Sequence, residues 1–532
     1  MNIMFIGADH EVTGSCTMLQ VNGKHILVDC GLEQGADIYE NCTIPVAPPS
    51  LDAILVTHAH IDHSGKLPVM TAGGFRGPIY ATEATARLCA IMLRDSAHIQ
   101  ESEAEWRNRK AQRSGGEAYV PLYTVADAEA TIPLFRTFGY GTEFTVCEGV
   151  KACFYDAGHL LGSASILFTI TEDGETRTIL FSGDVGNPGR PILKEFTTPP
   201  HADYAVIEST YGDRLHSKAP DYIGQLTRVF QETFDRGGNV VIPSFAVGRT
   251  QELLYLIRII KEKGLVKGHG NFPVWIDSPL AVEATSLYSP ELAEYYNDET
   301  RSLISGGVNP LDFPGLNMSV TSDDSKAINA DRQPKVIISA SGMCEAGRIR
   351  HHLKHNLWRE ECTVVFVGFQ TEGTLGSKLL RGEKLLTLFG EEIAVHASIR
   401  RIDSFSSHAD RGRLLSWLDA VKPGTVFVNH GEDSVCEGFA NTVRMQQGYD
   451  AVAPYSGDIY DLVTGECIEK AAIRKVQTKK TASARRAKTV YEKLVNAGMR
   501  LLSVIEKYKG APNKEIAGLT DKIQQLIEKY DR

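Results

Sequence analysis

The feature that most constrains the fold of this chain is a run of metal-binding side chains directly after a short apolar segment. Residues 53–57 read AILVT, which is typical of a buried strand, and His58, His60, Asp62 and His63 follow at once. Imidazole nitrogens and carboxylate oxygens bind Zn²⁺ and also suit Mn²⁺ or Fe. One ion cannot easily take all four side chains from so short a segment. The sequence therefore favours two adjacent ions over the alternative, a hydrated polar turn.

Further candidate ligands follow other apolar runs. Asp29 closes HILVDCG, His159 follows FYDAG, Asp184 closes RTILFSGD, and His430 closes TVFVNHG. A single histidine at a strand end is more often a structural turn residue than a ligand, but the repetition of the pattern raises the joint odds. Two metal ions need about eight ligand contacts, with a carboxylate able to bridge them, and these residues supply that number.

Composition places the chain among soluble globular proteins. Its 532 residues suggest roughly three or four domain-sized units, and 42% hydrophobic with 23% charged residues excludes wholesale disorder and a fibrous architecture. The net charge of -10 argues against a protein that grips nucleic acid over its whole surface, although a local basic groove stays compatible.

The cysteines and the apolar runs indicate the compartment. The ten cysteines form no C-x-x-C pair, which is typical of reduced thiols in a cytosolic protein. The chain begins without a basic flank and apolar stretch of the secretory kind, and no apolar run reaches the ~18 residues that span a bilayer. We therefore expect a cytoplasmic protein with no membrane partner.

The pattern of apolar runs divides the chain into four segments. Residues 1–209 contain short runs that predict strands, with a helical stretch near residues 82–112. Residues 210–395 alternate predicted helices and strands, as in a parallel sheet with crossover helices. Residues 396–465 resemble the first segment, and residues 466–532 are a basic linker with a helical C-terminal tail. The fold class is therefore α/β.

The motifs resemble those of a known superfamily. H-A-H-I-D-H at residues 58–63, with the flanking candidates described above, resembles the metallo-β-lactamase superfamily. Glu208 in VIESTYGDR, His408 in SFSSHAD and His430 in VNHGE resemble the three added motifs of its β-CASP ribonuclease branch, in the prokaryotic form of the cleavage and polyadenylation endonuclease. The resemblance implies an αββα sandwich of residues 1–209 and 396–465, with a β-CASP α/β domain inserted at 210–395.

The resemblance also implies a role for each candidate residue. The first metal ion would be held by His58, His60, His159 and Asp184. The second would be held by Asp62, His63, Asp184 and His430, with Asp184 as the bridge. Asp29 would orient ligands or the attacking water, and Asp62 and Asp184 would also serve catalysis. His408, backed by the carboxylate of Glu208, would be the general acid, since an adjacent carboxylate keeps imidazole protonated.

The function implied is a zinc-dependent ribonuclease with two Zn²⁺ ions, Mn²⁺ or Fe not being excluded. It would hydrolyse single-stranded RNA by metal-activated hydroxide, as an endonuclease and in some relatives also as a 5′→3′ exonuclease. By analogy with the family, His430 favours RNA over DNA as the expected substrate. The alternatives are a small-molecule metallo-hydrolase of the lactonase or thioesterase type, a DNA nuclease, and a non-catalytic RNA-binding subunit.

Two glycine-containing loops are candidate phosphate-binding elements. PSFAVGRTQELL and ISASGMCEAGRIRHHL both run from a predicted strand into a predicted helix, where free N–H groups attract anions. Tight strand-to-helix turns with no ligand explain the same pattern equally well. The candidate substrate-binding residues in the two loops are Arg249, Thr250, Ser339, Ser341, Gly342 and Arg348.

The C-terminal tail is basic before it becomes helical. Seven basic residues and no acidic residue lie between Arg474 and Lys488, and apolar side chains recur at helical spacing from Val490 to Tyr508. The basic run could bind RNA outside the main cleft, but charge runs are commonly solvated, so a linker is favoured. The helix fits docking within the chain and pairing in a homodimer equally well. A second helix is predicted from Asn513.

Overall fold

The computed structural model describes residues 1–35, 38–114, 118–216, 221–402, 406–476, 501, 505 and 513–530. Two large mixed sheets and a third, parallel sheet account for most of the strands in these ranges. The predicted basic run beyond residue 476 and most of the helix predicted at 490–508 lie outside the described residues. The C-terminal helix is present at Asn513–Tyr530.

The first sheet has eight strands in the order β23-β22-β1-β2-β3-β4-β5-β6. Pairing is antiparallel from β23 to β3 and parallel from β3 to β6. The strands are β1 (Asn2–Gly7), β2 (Cys16–Val21), β3 (Lys24–Val28), β4 (Ala53–Leu55), β5 (Ile79–Ala81), β6 (Phe135–Thr137), β22 (Ile459–Asp461) and β23 (Cys467–Glu469).

The second sheet has seven strands in the order β21-β20-β11-β10-β9-β8-β7. Pairing is parallel from β21 to β10 and antiparallel from β10 to β7. The strands are β7 (Glu143–Cys147), β8 (Val150–Asp156), β9 (Ala164–Glu172), β10 (Glu175–Phe181), β11 (Tyr204–Glu208), β20 (Thr425–Asn429) and β21 (Asp450–Val452).

The two sheets pack face to face because their strands alternate apolar side chains between two faces. In β11, Val206 joins the core between the sheets, where Phe5 and Phe154 also lie, whereas Ile207 joins the outer core. Helices cover both outer faces, so the layers run helix, sheet, sheet, helix. These helices are α1 (Ile61–Ser64), α2 (Leu67–Ala72), α3 (Glu83–Ser114), α4 (Val125–Thr131), α12 (Arg411–Val421) and α13 (Asp433–Gln447).

The inserted domain is built on a six-stranded, all-parallel sheet in the order β14-β13-β15-β12-β16-β19. A separate hairpin pairs β17 (Leu385–Leu388) with β18 (Glu391–Ala394). The sheet strands are β12 (Val240–Pro243), β13 (Val274–Asp277), β14 (Leu316–Ser319), β15 (Val336–Ser339), β16 (Thr363–Phe366) and β19 (Ser398–Arg401).

Helices cover both faces of this sheet, as crossover connections require. On one face Ile242 of β12 packs with α6, and on the other Ile337 of β15 packs with α10. The predicted α/β class and its layers are therefore confirmed. The helices are α5 (Tyr222–Asp235), α6 (Arg249–Glu262), α7 (Pro279–Ser286), α8 (Asp298–Ser305), α9 (Ser322–Ala330), α10 (Ile349–Asn356) and α11 (Leu375–Leu380).

Two segment boundaries differ from the sequence-based prediction. β19 follows the predicted end of the insert at 395, yet it pairs in parallel with β16 and so belongs to the inserted sheet. β23 follows the predicted end at 465, yet it pairs with β22, which completes the first sheet beside β1. Strand pairing decides both assignments, and a short edge strand carries little signal in its own sequence.

The first described residues of the C-terminal tail lie against the first domain. Tyr39 and Lys475 form an isolated antiparallel bridge, and the ammonium group of Lys475 lies 5.7 Å from the centre of the Tyr39 ring. Among the described residues, no helix combines the length and apolar character needed to cross a bilayer.

Candidate metal centre

The first ligand group converges on the Oδ2 atom of Asp184. His58 and His60 lie in the loop between β4 and α1, His159 follows β8, and Asp184 follows β10. The Nε2 atoms of His58 and His159 each lie 3.4 Å from Asp184 Oδ2. His60 Nδ1 lies 3.0 Å from His58 Nε2 and 3.3 Å from His159 Nε2. Three imidazoles and one carboxylate thus face a common point, as a tetrahedral zinc site requires.

The second ligand group lies on the other oxygen of the same carboxylate. His63 Nε2 lies 3.4 Å from Asp184 Oδ1 and 3.1 Å from His430 Nε2. Asp62 Oδ2 lies 3.9 Å from His430 Nε2. Asp184 therefore stands between the two groups with one oxygen directed to each, in the position of a bridging ligand.

The environment of the Asp184 carboxylate indicates whether metal ions fit this site. Its side chain is 2% exposed, and no described residue hydrogen-bonds to Oδ1. An anionic oxygen buried without a partner is strongly unfavourable unless a cation compensates it. The donor set around it, imidazole with carboxylate, fits Zn²⁺. The residues present therefore fit two divalent cations.

Burial keeps the three histidines of the first group neutral, which is the form that binds metal. Burial also lowers the pKa of His63 in the second group, but the carboxylates of Asp184 and Asp29 outweigh it and raise that pKa well above its usual value. Burial lowers the pKa of His58 and, with the neighbouring His58 ring, lowers the pKa of His60 to about 3. Burial and the adjacent His408 ring lower the pKa of His159 well below its usual value. Burial raises the pKa of Asp184, but the surrounding histidines outweigh it and leave the carboxyl ionised.

Asp29 contacts His63 of the second group. Its Oδ2 lies 2.7 Å from His63 Nδ1, and its Oδ1 accepts a hydrogen bond of 2.8 Å from the backbone N–H of Thr57. Asp29 follows β3 with a left-handed φ of 60°, and His430 follows β20 with a φ of 47°. Such backbone geometry is strained for residues other than glycine and clusters at functional sites.

His408 and Glu208 meet beside the bridging carboxylate. His408 Nδ1 lies 3.0 Å from Glu208 Oε2 and 3.8 Å from Asp184 Oδ2. Glu208 is 1% exposed, and its Oε1 accepts a 2.6 Å hydrogen bond from the backbone N–H of Val185. Burial lowers the pKa of His408, but the carboxylates of Glu208 and Asp184 outweigh it and raise that pKa to about 9. His408 is therefore protonated at neutral pH.

Three family models match successive parts of the chain. The model described as "Metallo-beta-lactamase superfamily" matches residues 11–85, and the model described as "Beta-Casp domain" matches residues 250–379. The model described as "Zn-dependent metallo-hydrolase RNA specificity domain" matches residues 392–454. The matches follow the order of the first domain, the insert and the return to the first domain.

Ribonuclease TTHA0252 of Thermus thermophilus is 36% identical to this chain over 436 residues, which cover 81% of this chain and 94% of that protein. This chain belongs to the β-CASP family. The resemblance inferred from its motifs is thereby confirmed. An RNase J-like protein of Methanocaldococcus jannaschii is 30% identical over 463 residues, which cover 86% of this chain and 99% of that protein. Transcription termination factor FttA of the same organism is 33% identical over 459 residues, which cover 84% of this chain and 69% of that protein.

The first candidate phosphate loop connects β12 to α6 of the β-CASP domain. Arg249 forms a 2.6 Å ion pair with Glu252 and is nearly buried. Thr250 donates its hydroxyl hydrogen to the carbonyl of Phe245 at 2.7 Å. Both side chains therefore shape the turn itself, which favours the structural interpretation for their own groups.

The second loop connects β15 to α10 and is bonded internally in the same way. Ser339 donates to the carbonyl of Asp277 at 2.8 Å, and Ser341 donates to the carbonyl of Ala346 at 3.3 Å. Arg348 forms a 2.7 Å ion pair with the buried carboxylate of Asp277. Gly342 is buried, and a Cβ atom on it would lie 3.3 Å from the ring of Phe245.

Sequence reasoning missed Arg190, which links the β-CASP domain to a metal ligand. Its guanidinium donates to the carbonyl of His159, and to the carbonyl of Ser407 at 3.4 Å. That Ser407 carbonyl also lies 3.2 Å from His159 Nδ1. Glu252 of α6 forms a 2.6 Å ion pair with Arg190. An arginine six residues after a ligand has no sequence signal of its own, since only the fold brings Glu252 to it.

Proposed function

We propose that this β-CASP protein is a two-metal ribonuclease that hydrolyses phosphodiester bonds of single-stranded RNA. The observation that carries the proposal is the placement of the His408–Glu208 pair beside the bridging Asp184. This arrangement puts a proton donor next to two adjacent cation sites. Hydrolysis of a phosphodiester needs both, because the substrate is anionic and its leaving group is an alkoxide.

The candidate ligand residues would hold two divalent ions, which we assign as Zn²⁺. His58, His60 and His159 with Asp184 would hold one, and Asp62, His63 and His430 with Asp184 would hold the other. When bound, such ions neutralise the anionic phosphoryl oxygens and lower the pKa of water to about 7. Asp29 and Thr57 keep the second group in place by fixing the ring of His63.

His408 supplies the proton to the departing oxygen. Its Nδ1 is occupied by Glu208, so its Nε2 is the nitrogen that can donate to the substrate. The buried carboxylate of Glu208 is itself fixed by the Val185 N–H, and therefore holds the imidazolium in one orientation. A neutral leaving alcohol forms when that proton is transferred.

Positive charge on the β-CASP side supports an anionic polymer as the substrate. Arg190 and Arg249 both form ion pairs with Glu252, and Arg190 also donates to the carbonyl of His159. Arg249, Thr250, Gly342 and Arg348 lie in loops at the carboxyl edge of the parallel sheet, where open α/β sheets bind ligands. We assign these loops to the wall of the RNA cleft.

The ten cysteines are all free thiols in the structure, and most are buried. Because such a set is typical of a reducing compartment, we propose a cytoplasmic location. The cleavage mode follows the family, endonucleolytic with 5′→3′ exonuclease action as a second mode. A homodimer through the helix predicted at residues 490–508 is the corresponding proposal for assembly, and light scattering of the purified protein tests it.

Single-turnover cleavage of a 5′-labelled single-stranded RNA and of its DNA counterpart tests the proposal, with the metal content of the same preparation measured. We expect about two metal ions per chain, cleavage of RNA and sparing of DNA. The product ladder separates internal cleavage from stepwise 5′→3′ degradation. Two bound ions with neither RNA nor DNA cut would favour a small-molecule hydrolase. Preferential cleavage of DNA would favour a DNA nuclease, and a protein without metal would favour a non-catalytic subunit.

A further inference from the structure

Two phenylalanine side chains stand in solvent at the carboxyl edge of the β-CASP sheet. Phe245 and Phe369 are each 49% exposed. Phe245 follows β12 by two residues, and Phe369 follows β16 by three. Single exposed apolar residues are common on protein surfaces, but two at the same edge of one sheet mark an interaction site more strongly.

The topology places this phenylalanine pair, Phe245 and Phe369, at the switch point of the sheet. β12 and β16 are neighbours and parallel, so their carboxyl ends lie side by side. After β12 the chain crosses toward β13, and after β16 it crosses toward β19 on the opposite side. Connections that leave neighbouring strands in opposite directions open a crevice between them, and ligands bind there.

Hydrogen bonds hold the backbone of both phenylalanines in place. Thr250 donates to the carbonyl of Phe245 at 2.7 Å, and Gln370 donates to the carbonyl of Phe369 at 3.0 Å. The same Gln370 amide donates to the carbonyl of Gly342 at 2.9 Å. Gly342 in turn lies against the Phe245 ring, since a Cβ atom there would be 3.3 Å from it. The two rings thus belong to one braced surface.

This surface continues into the metal centre. Gly248, three residues beyond Phe245, lies against Leu160, which directly follows the ligand His159. Three residues of extended chain span at most about 11 Å, so Phe245 is within a short distance of the ligand loop. Arg249 follows Gly248 in the same loop and, like Arg190, forms an ion pair with Glu252.

We propose that the phenylalanine pair is a stacking platform for bases of single-stranded RNA on its way to the metal centre. Proteins that bind single strands combine basic groups for the backbone with exposed aromatic rings for the bases. Here the exposed rings stand at the sheet edge, and the loop that follows Phe245 leads through Gly248 to the residue next to His159. The inference rests on the proposed ribonuclease function, and it adds the residues that hold the substrate.

The test compares RNA with a phosphodiester that has no base. We would measure kcat and KM of the full chain with a 5′-labelled single-stranded RNA and with bis(p-nitrophenyl) phosphate. Phe245→Ala and Phe369→Ala are each expected to raise KM for RNA roughly tenfold, with kcat within about twofold of the unaltered protein. Hydrolysis of bis(p-nitrophenyl) phosphate has no base to stack and should not respond. Phe245→Tyr keeps an aromatic ring and should retain the KM of the unaltered protein for RNA.

Trp358→Ala is the matched control. Trp358 is an aromatic residue of similar exposure, 56%, but it lies between α10 and β16, at the amino edge of the same sheet. Its removal should leave both activities unchanged. An RNA series with one abasic position at a time provides a second measurement. In the unaltered protein an abasic nucleotide at the stacked position should raise KM, and in Phe245→Ala the same abasic nucleotide should cost nothing more.

The outcomes separate this inference from the proposed function. Unchanged RNA KM in the Phe245→Ala, Phe369→Ala double variant would overturn the platform alone. Equal losses toward RNA and bis(p-nitrophenyl) phosphate would also overturn it, because they indicate damage to the metal centre. If Phe245→Leu retains the KM for RNA as well as Phe245→Tyr does, the side chain acts by apolar contact, and the stacking proposal is overturned. An unaltered protein that hydrolyses bis(p-nitrophenyl) phosphate but no RNA would overturn the proposed function itself.

Discussion

His408 Nδ1 lies 3.0 Å from Glu208 Oε2, although 200 residues of sequence separate the two. Glu208 ends β11 in the first half of the metallo-β-lactamase sandwich, and His408 comes after the whole β-CASP insert. The pair therefore forms only because the chain returns from the insert to the first domain.

Removal of the acid should slow the chemical step more than it weakens binding. We expect His408→Ala to lower the single-turnover cleavage rate about 10²- to 10⁴-fold, with a small change in RNA affinity. Rapid-quench cleavage together with filter binding measures the two quantities. His269→Ala, in a surface ion pair with Asp235, is the control and should change neither. A rate within twofold of the unaltered protein would remove His408 from the chemistry.

The alkaline limit of activity should follow the Glu208 carboxylate. His408 acts in its protonated form, so the alkaline limb of kcat should fall as pH rises through about 9. Glu208→Gln removes the negative charge that stabilises the imidazolium, so the fall should begin at lower pH. The kcat–pH profile of the two proteins with RNA measures the shift.

A substrate that needs no acid provides the control for that profile. p-Nitrophenolate leaves without a proton, so bis(p-nitrophenyl) phosphate should show the same alkaline limb in both proteins. If the limb moves equally with this substrate, Glu208 acts on the metal centre and not through His408.

The two ligand groups should be separable by substitution. We expect His60→Ala to lose the first ion and His63→Ala the second, each leaving about one ion per chain and abolishing RNA cleavage. Asp184→Asn should weaken both sites because the bridge serves both. Atomic emission of gel-filtered protein counts the ions, and circular dichroism checks the fold. His98→Ala, on an exposed face of α3, should retain both ions.

The Arg190–Glu252 ion pair should act through the ligand His159. Loss of groups that orient a metal ligand typically costs 10- to 100-fold in metal affinity or activity. We therefore expect Arg190→Ala and Glu252→Gln each to weaken metal binding at the first site by about that factor, and the double variant to do no more than either. Competition with a zinc chelator measures the affinity. Glu291→Gln, in an exposed pair with Arg87, should have no effect.

The β-CASP domain should depend on a buried carboxylate under the second loop. Asp277 is fully buried and bonds His352, Arg348, Ser319 and Ser325. Asp277→Ala leaves a buried histidine without its partner, so we expect a loss of about 3–5 kcal/mol in the stability of this domain. Hydrogen exchange of β13 and β15 amides measures it. Asp323→Ala, in a pair open to solvent, should cost less than about 1 kcal/mol.

The candidate ligand residues could be proposed from sequence because they follow recognisable strands. Apolar runs end at Asp29, Asp184 and His430, and carboxyl ends of neighbouring strands gather at one edge of a sheet. The short spacing of residues 58–63 allowed the two-ion prediction before any fold was known. The phosphate loops were harder, since the sequence allowed both interpretations and only the bonds of Arg249 and Arg348 to nearby carboxylates favour the structural one.

The sequence by itself determined the α/β class, and it predicted an inserted domain and a set of candidate metal ligands, because these depend on local periodicity and on side-chain types that occur in recognisable runs. Only the tertiary structure decided that Asp184 directs one oxygen to each ligand group, that Arg190 pairs with Glu252, and that β19 belongs to the insert. These features join residues far apart in the chain, and their geometry is set by sheet order and packing, which no local pattern encodes.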